Sequence, residues 1–216
     1  TTLTAKYDLK LGQHAVNFLV GTSYEHYKSE RLYSKRTDFV SDGLEDIEQG
    51  NNISKDLPDG RGIVESKMLS YFGRINYSYK DRYLFEANLR ADASSRFHKD
   101  NRWGWFPSFS AGWRISEEAF MKPLNSVLSN LKLRGSWGNI GNQSITPYAY
   151  IPGMDAEQAY WTVSGIKVTT LKPAALVSNS FTWEKVTTID VGFDLGLLDN
   201  RLNMVFDWYR RDTKGM

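Results

Sequence analysis

Cysteine is absent from all 216 residues, which removes disulfides, thiol catalysis and thiolate metal ligation together. No apolar run approaches the roughly 18 residues that a membrane-crossing helix needs, so helical spans are excluded. Charge bias is missing too: 27 basic against 25 acidic side chains leave a net charge of +2, and that balance gives no argument for a nucleic-acid partner. A secretory leader is not seen at the start, TTLTAKYDLK, which opens inside a strand and reads as a piece of something larger. What the chain does have in excess is aromatic: seven Trp, twelve Tyr and eleven Phe make 14% of it, which signals interfaces of some kind. Membrane-surface girdles and sugar-stacking platforms would each produce that excess.

The negative mean hydropathy would ordinarily indicate a soluble protein. A barrel strand, however, shows lipid only at every second side chain, so its average hydropathy looks ordinary. The alternation itself is the better guide. Leu3, Ala5, Tyr7, Leu9 and Leu11 oppose Thr4, Lys6, Asp8 and Lys10; Val16, Phe18, Val20, Thr22 and Tyr24 oppose Asn17, Gly21, Ser23 and Glu25, with Leu19 the exception. The same period of two recurs at 71–79, 83–92, 108–115, 131–137, 189–197 and 202–208, giving about eight segments. Most are near the 9–11 residues a tilted transmembrane strand requires, longer than the usual strand of about 5–6 residues in a soluble domain. One face is apolar and the other carries Arg, Lys, Asp and Glu, which suits a water-filled lumen. The expected fold class is all-β: an antiparallel transmembrane β-barrel segment of up-and-down strands.

Connections alternate as well. Short ones fall at Gly12-Gln13, Asp81 and Asp199-Asn200; longer ones are expected over 28–66, 93–103 and 139–182. Tight periplasmic turns below and longer outer loops above are the rule for such barrels. A helix-bearing periplasmic connection is expected over about 116–130, where Ser116 offers a cap and Glu117 and Glu118 a first turn, with Pro123 limiting its length. This topology puts Tyr79, Tyr83 and Trp113 near the inner membrane interface and Trp137, Trp183 and Trp208 near the outer one. The first strand descends and the eighth ascends, so a consecutive slice of a bigger barrel is expected, because a lone slice would expose two strand edges in the membrane.

The run SYFGRINYSYKDRYLFEANLRADASSRFHKDNRWGWFPSFSAGWRISEEAFMK at 70–122 resembles the SusC/RagA family of TonB-dependent outer-membrane receptors of Bacteroidetes. So do LKLRGSWGNIGNQSI at 131–145, FTWEKVTTIDVGFDLGLLDNRL at 181–202 and the terminal DWYRRDTKGM. Residues 1–67 fit in strand pattern but carry weaker motifs. The resemblance implies a plugged barrel of about 22 strands, of which the whole 1–216 chain would be a partial barrel domain without plug or C-terminal strands. It further implies a bacterial outer-membrane location, glycan or peptide import, a SusD-like surface lipoprotein, and a TonB complex engaged through a missing N-terminal part. No cofactor is implied. A soluble, aromatic-rich β-sandwich that binds carbohydrate is the alternative, and a passive porin a third reading.

Catalysis has little support. His14, His26 and His98 sit apart, and Ser94 or Ser95 with His98 and Asp92 are too close in sequence to converge as a triad. Asp38, Asp42, Glu45 and Asp46 lack calcium-loop spacing and read as a solvated acidic loop, and residues 60–67 form no phosphate loop. The expectation is a non-enzyme without a metal site. Ligand contact belongs to the outer loops, because a sugar needs an aromatic face and amide or guanidinium partners. Arg96, Asn101, Arg102, Tyr160 and Trp161 are the candidate substrate contacts, whereas Trp103 and Trp105 read as structural parts of the NRWGWFPS element.

Overall fold

The structure is a computed structural model and describes residues 1–34, 59–124, 127–154, 156–163, 165–174, 176–178 and 180–215. The four acidic candidates at 38–46 lie outside the described residues. Two units are distinguished, one of residues 1–25 with 68–216 and one of 26–67.

Period-two alternation becomes eight antiparallel strands in one sheet. They are β1 (Thr2–Leu11), β2 (His14–Ser34), β3 (Asp59–Tyr79), β4 (Tyr83–Ser94), β5 (Trp103–Arg114) and β6 (Leu128–Asn142), then β9 (Glu184–Leu197) and β10 (Leu202–Lys214). Neighbours follow chain order, β1-β2-β3-β4-β5-β6-β9-β10. The remaining strands, β7 (Ala156–Val163) and β8 (Ile166–Leu171), form a separate hairpin between β6 and β9. Gly12, Lys80, Asp81, Asp199 and Asn200 all take the left-handed φ that a tight reversal demands, and the Arg82 N–H closes its turn on the Tyr79 carbonyl at 3.0 Å.

Register keeps each face continuous across strands. On one face Ala87 opposes Phe109, Phe109 opposes Trp137, Trp137 opposes Ile189, and further along Phe193 opposes Phe206. The chain leaves this face uncovered, with Leu3, Tyr7, Phe85, Phe109, Val191 and Trp208 all exposed. Rings stack strand to strand along it: Tyr79 on Tyr83 and Tyr83 on Trp113, each at 6.2 Å, and Phe109 on Trp137 at 5.9 Å. On the other face Arg74 opposes Asn88, Asn88 opposes Ser108, and Lys132 opposes Asp194. A sandwich would bury the apolar face under a second sheet. This fold instead buries, among its described hydrophobics, chiefly Phe97, Phe106 and Trp183 near one end of the sheet.

Three connections differ from the sequence expectation. Strands β2 and β3 run far into 28–66, where the apolar alternation has stopped, and His26 bonds Glu65 across them at 2.9 Å. Within 139–182, β6 continues to Asn142 and the β7–β8 hairpin turns at Gly165, whose φ is +79°. The 116–130 connection holds two 3-10 segments, Ile115–Glu117 and Ala119–Leu124, with Pro123 inside the second. Proline removes the amide donor that an α-helix would need there.

Candidate functional site

Polar side chains projecting from one face of β3, β4, β5 and β6 line a recess of about 790 Å³. Arg90 organises it. Its Nε donates to both Asp92 carboxylate oxygens at 2.8 and 2.9 Å, its Nη2 reaches Ser70 Oγ at 3.0 Å, and its guanidinium lies 5.8 Å from the Phe72 ring centre. One N–H shared between the two carboxylate oxygens and a second nitrogen on Ser70 tie the guanidinium at two points. Beside it Arg74 Nε donates to Asn88 Oδ1 at 2.7 Å, and the Asn88 amide donates to Glu86 at 2.7 Å. Asn139, Asn142 and Gln143 of the β6 end complete a lining of amides and guanidiniums around Phe72, Phe106 and Trp183. Planar polar groups beside aromatic faces can bind hydroxyl-rich or peptide ligands alike.

Three of the candidate contacts lie in the 93–103 turn, whose Phe97 packs on Trp183 of the recess lining. Arg96 spends its Nη1 on the Ile145 carbonyl at 2.7 Å. The Asn101 N–H donates to the His98 carbonyl at 3.0 Å, and the carbonyls of Asn101 and Arg102 accept from Thr182 Oγ1 at 3.0 Å and Trp183 Nε1 at 2.8 Å. The Nε atoms of Arg96 and Arg102 are buried without a hydrogen-bond partner among the described residues. Trp161 stands on β7 and is 60% exposed, apart from that group. Tyr160 lies outside the residues whose side chains are described.

Trp183 corrects the girdle reading. Rather than standing at a lipid interface it is only 4% exposed, tilted on Phe97 at 5.4 Å and edge-on to Phe106 at 5.3 Å. Its indole N–H finds a carbonyl inside the turn, which satisfies a buried donor that lipid could not. Tyr79, Tyr83, Trp113, Trp137 and Trp208 lie on the uncovered apolar face, as the alternation places them.

At the opposite end of the sheet Glu118 collects three donors: Tyr83 Oη at 2.7 Å, Trp113 Nε1 at 3.2 Å and Arg82 Nη1 at 3.1 Å. These bonds, Tyr83 first, hold its carboxyl below the ordinary carboxylate value. Sequence reasoning used Glu118 only as a helix-start signal; the aromatic pair it serves was legible, the carboxylate joining them was not. Gln143 was likewise missed, and Ser94 was weighed only as a nucleophile, though the two bond at 2.6 Å and both fall within the family-like runs. Further along the polar face Arg134 bridges Asp194 at 3.2 Å and Asp207 at 2.8 Å.

Comparison with known proteins gives one consistent picture. A family profile described as TonB dependent receptor-like, beta-barrel matches residues 1–216. The TonB-dependent receptor SusC of Bacteroides thetaiotaomicron is 38% identical over 211 residues, covering 96% of this chain and 20% of that protein. TonB-dependent receptor P26 of Formosa agariphila is 33% identical over 219 residues, covering 99% and 21%. Among solved structures, the RagAB peptide importer in its closed-closed state superimposes with a TM-score of 0.85 at 27% identity, over 100% of this chain and 23% of that one. The chain thus spans about a fifth of the curated relatives it matches.

Proposed function

This chain belongs to the TonB-dependent receptor-like β-barrel family, as a SusC/RagA-type segment lying in the bacterial outer membrane, and from that premise we propose that the protein it forms part of imports oligosaccharides or peptides. Transport is driven by the TonB complex through an N-terminal part, and a SusD-like lipoprotein works with the barrel at the cell surface. The observation that carries this reading is the face segregation: an apolar face left bare for lipid, with the Arg90–Asp92–Ser70 and Arg74–Asn88 groups turned the other way. In this reading the 28–66, 93–103 and 139–182 connections lie outside the cell, and 116–130 lies in the periplasm.

Oligosaccharides and peptides both fit a recess of amides, guanidiniums and rings. SusC likeness at 38% identity and RagAB likeness at 27% support keeping both classes. Trp161, exposed on its hairpin, is the substrate contact we favour together with Tyr160, whereas Arg96, Asn101 and Arg102 serve first to hold the loops. Uptake of labelled oligosaccharide and peptide pools by cells carrying the full-length receptor tests the proposal. Uptake of one pool that falls on deleting the receptor and on collapsing the proton gradient is the expected result. Uptake that survives gradient collapse would establish a passive porin instead, and uptake of neither pool would refute both substrate classes.

A further inference from the structure

The two ends of the segment that carries the β7–β8 hairpin are held by one short turn. At the leading foot, Ser94 Oγ donates to Gln143 Oε1 at 2.6 Å and Arg96 Nη1 to the Ile145 carbonyl at 2.7 Å. At the trailing foot, Thr182 Oγ1 donates to the Asn101 carbonyl at 3.0 Å and Trp183 Nε1 to the Arg102 carbonyl at 2.8 Å. Phe97, the most buried large side chain among the described residues, packs on Trp183 of the trailing foot, with Ile145 of the leading foot and Met68 against the same cluster. The turn is itself tied, since the Ser94 N–H bonds the Arg102 carbonyl at 3.2 Å and the Asn101 N–H bonds the His98 carbonyl at 3.0 Å.

We propose that residues 94–102 act as a clamp that positions the substrate-contacting hairpin, with Ser94, Arg96 and Phe97 on one side and Trp183 on the other as positioning residues. The β6–β9 pairing already joins the loop's ends at Asn142 and Glu184; the clamp fixes the residues just beyond them, Gln143, Ile145, Thr182 and Trp183, so the free segment is shorter and less ordering remains when a ligand binds at its tip. The clamp separates two roles that sequence motifs merge: Arg96, Asn101 and Arg102 orient the arm, and Trp161 meets the ligand.

The clamp rests on the reading of Trp161 as a substrate contact for its purpose, but its mechanics are testable alone. Spin labels at Lys99→Cys and Thr162→Cys, both exposed positions, report the turn-to-hairpin distance in the full-length receptor in detergent or nanodiscs. The parent should give a narrow distribution. Trp183→Phe, which keeps a ring but deletes the donor, combined with Arg96→Met should lose the narrow component while the barrel keeps its heat-resistant migration. Thr182→Val, a milder change at the same foot, should lose part of it and serves if the double variant fails to fold. A distribution that stays narrow in both variants overturns the clamp. Trp161→Ala assayed for uptake separates the two ideas: unchanged uptake with a broadened distribution in the clamp variants removes the substrate role of Trp161 and leaves the clamp standing.

Discussion

The Tyr83 hydroxyl, at the first residue of β4, donates to the Glu118 carboxylate across 2.7 Å, tying a strand end to the connection between β5 and β6. Trp113 and Arg82 bond the same carboxylate. The stacked Tyr79–Tyr83–Trp113 row therefore has a polar anchor at the end of the sheet, as interface aromatics with an apolar body and polar tip require.

Because those bonds lower the Glu118 carboxyl below its ordinary 4.5, the stabilisation they give is complete above that value and is lost as pH falls through the depressed folded value. Glu118→Gln should lower the thermal midpoint of the folded receptor at neutral pH. The gap between parent and variant should shrink on acidification through that window. A gap that persists unchanged in strong acid would show that the carboxylate charge is not its source.

Phe193 and Ser110 sit on opposite faces of the sheet. Phe193 stacks on Phe206 at 5.6 Å on the apolar face, whereas Ser110 lines a recess on the polar face with Glu86 and Arg134. Phe193→Arg should cost about 2–4 kcal/mol of folding free energy in bilayers if it lies near the midplane. Ser110→Arg should stay within about 0.5 kcal/mol. Denaturant titrations in lipid vesicles give both numbers, and equal costs would mean the faces are misassigned.

Gly192 opposes Asp207 in the β9–β10 register, where Arg134 also reaches Asp207. A Cβ at Gly192 would collide with the Asp207 carboxylate and stand 2.6 Å from the Phe206 carbonyl oxygen, which is backbone and cannot step aside. Gly192→Ala should cost about 1–3 kcal/mol, the usual range for overpacking. Gly62→Ala meets nothing within 4 Å and should be near neutral in the same denaturation assay.

Trp183 and Trp208 should part company in lipid. In single-Trp variants reconstituted with brominated lipids, Trp208 and Trp137 fluorescence should be quenched and Trp183 fluorescence should not. Quenching of Trp183 equal to that of Trp208 would return it to the membrane interface.

The eight strands were legible because each repeats its period over enough residues to outlast chance, and the register then follows from keeping one face apolar. Strand ends were less so: from His26 to Ser34 charge falls on both faces, Lys28 and Glu30 on one and Arg31 on the other, so alternation no longer marks the strand. The β7–β8 hairpin hid in a long stretch where Ala156–Val163 and Ile166–Leu171 are individually short. The clamp could not be read at all in its main bonds. Three of its acceptors are the carbonyls of Asn101, Arg102 and Ile145, and a backbone oxygen leaves no mark on residue type. Trp183 shows the same limit, since a Trp beside a strand reads alike for a girdle and for a core until Phe97 and Phe106 arrive from distant sequence.

Orientation in the membrane is decided by thiol labelling of intact cells producing the full-length receptor with any other cysteines removed. Thr162→Cys on β7 and Lys122→Cys in the β5–β6 connection would each meet a large, membrane-impermeant maleimide. Labelling at position 162 in intact cells, and at 122 only after the outer membrane is opened, is the result expected of a barrel with its long loops outside. Labelling at 122 but not at 162 would contradict that arrangement, and equal labelling of both would contradict a membrane-spanning sheet.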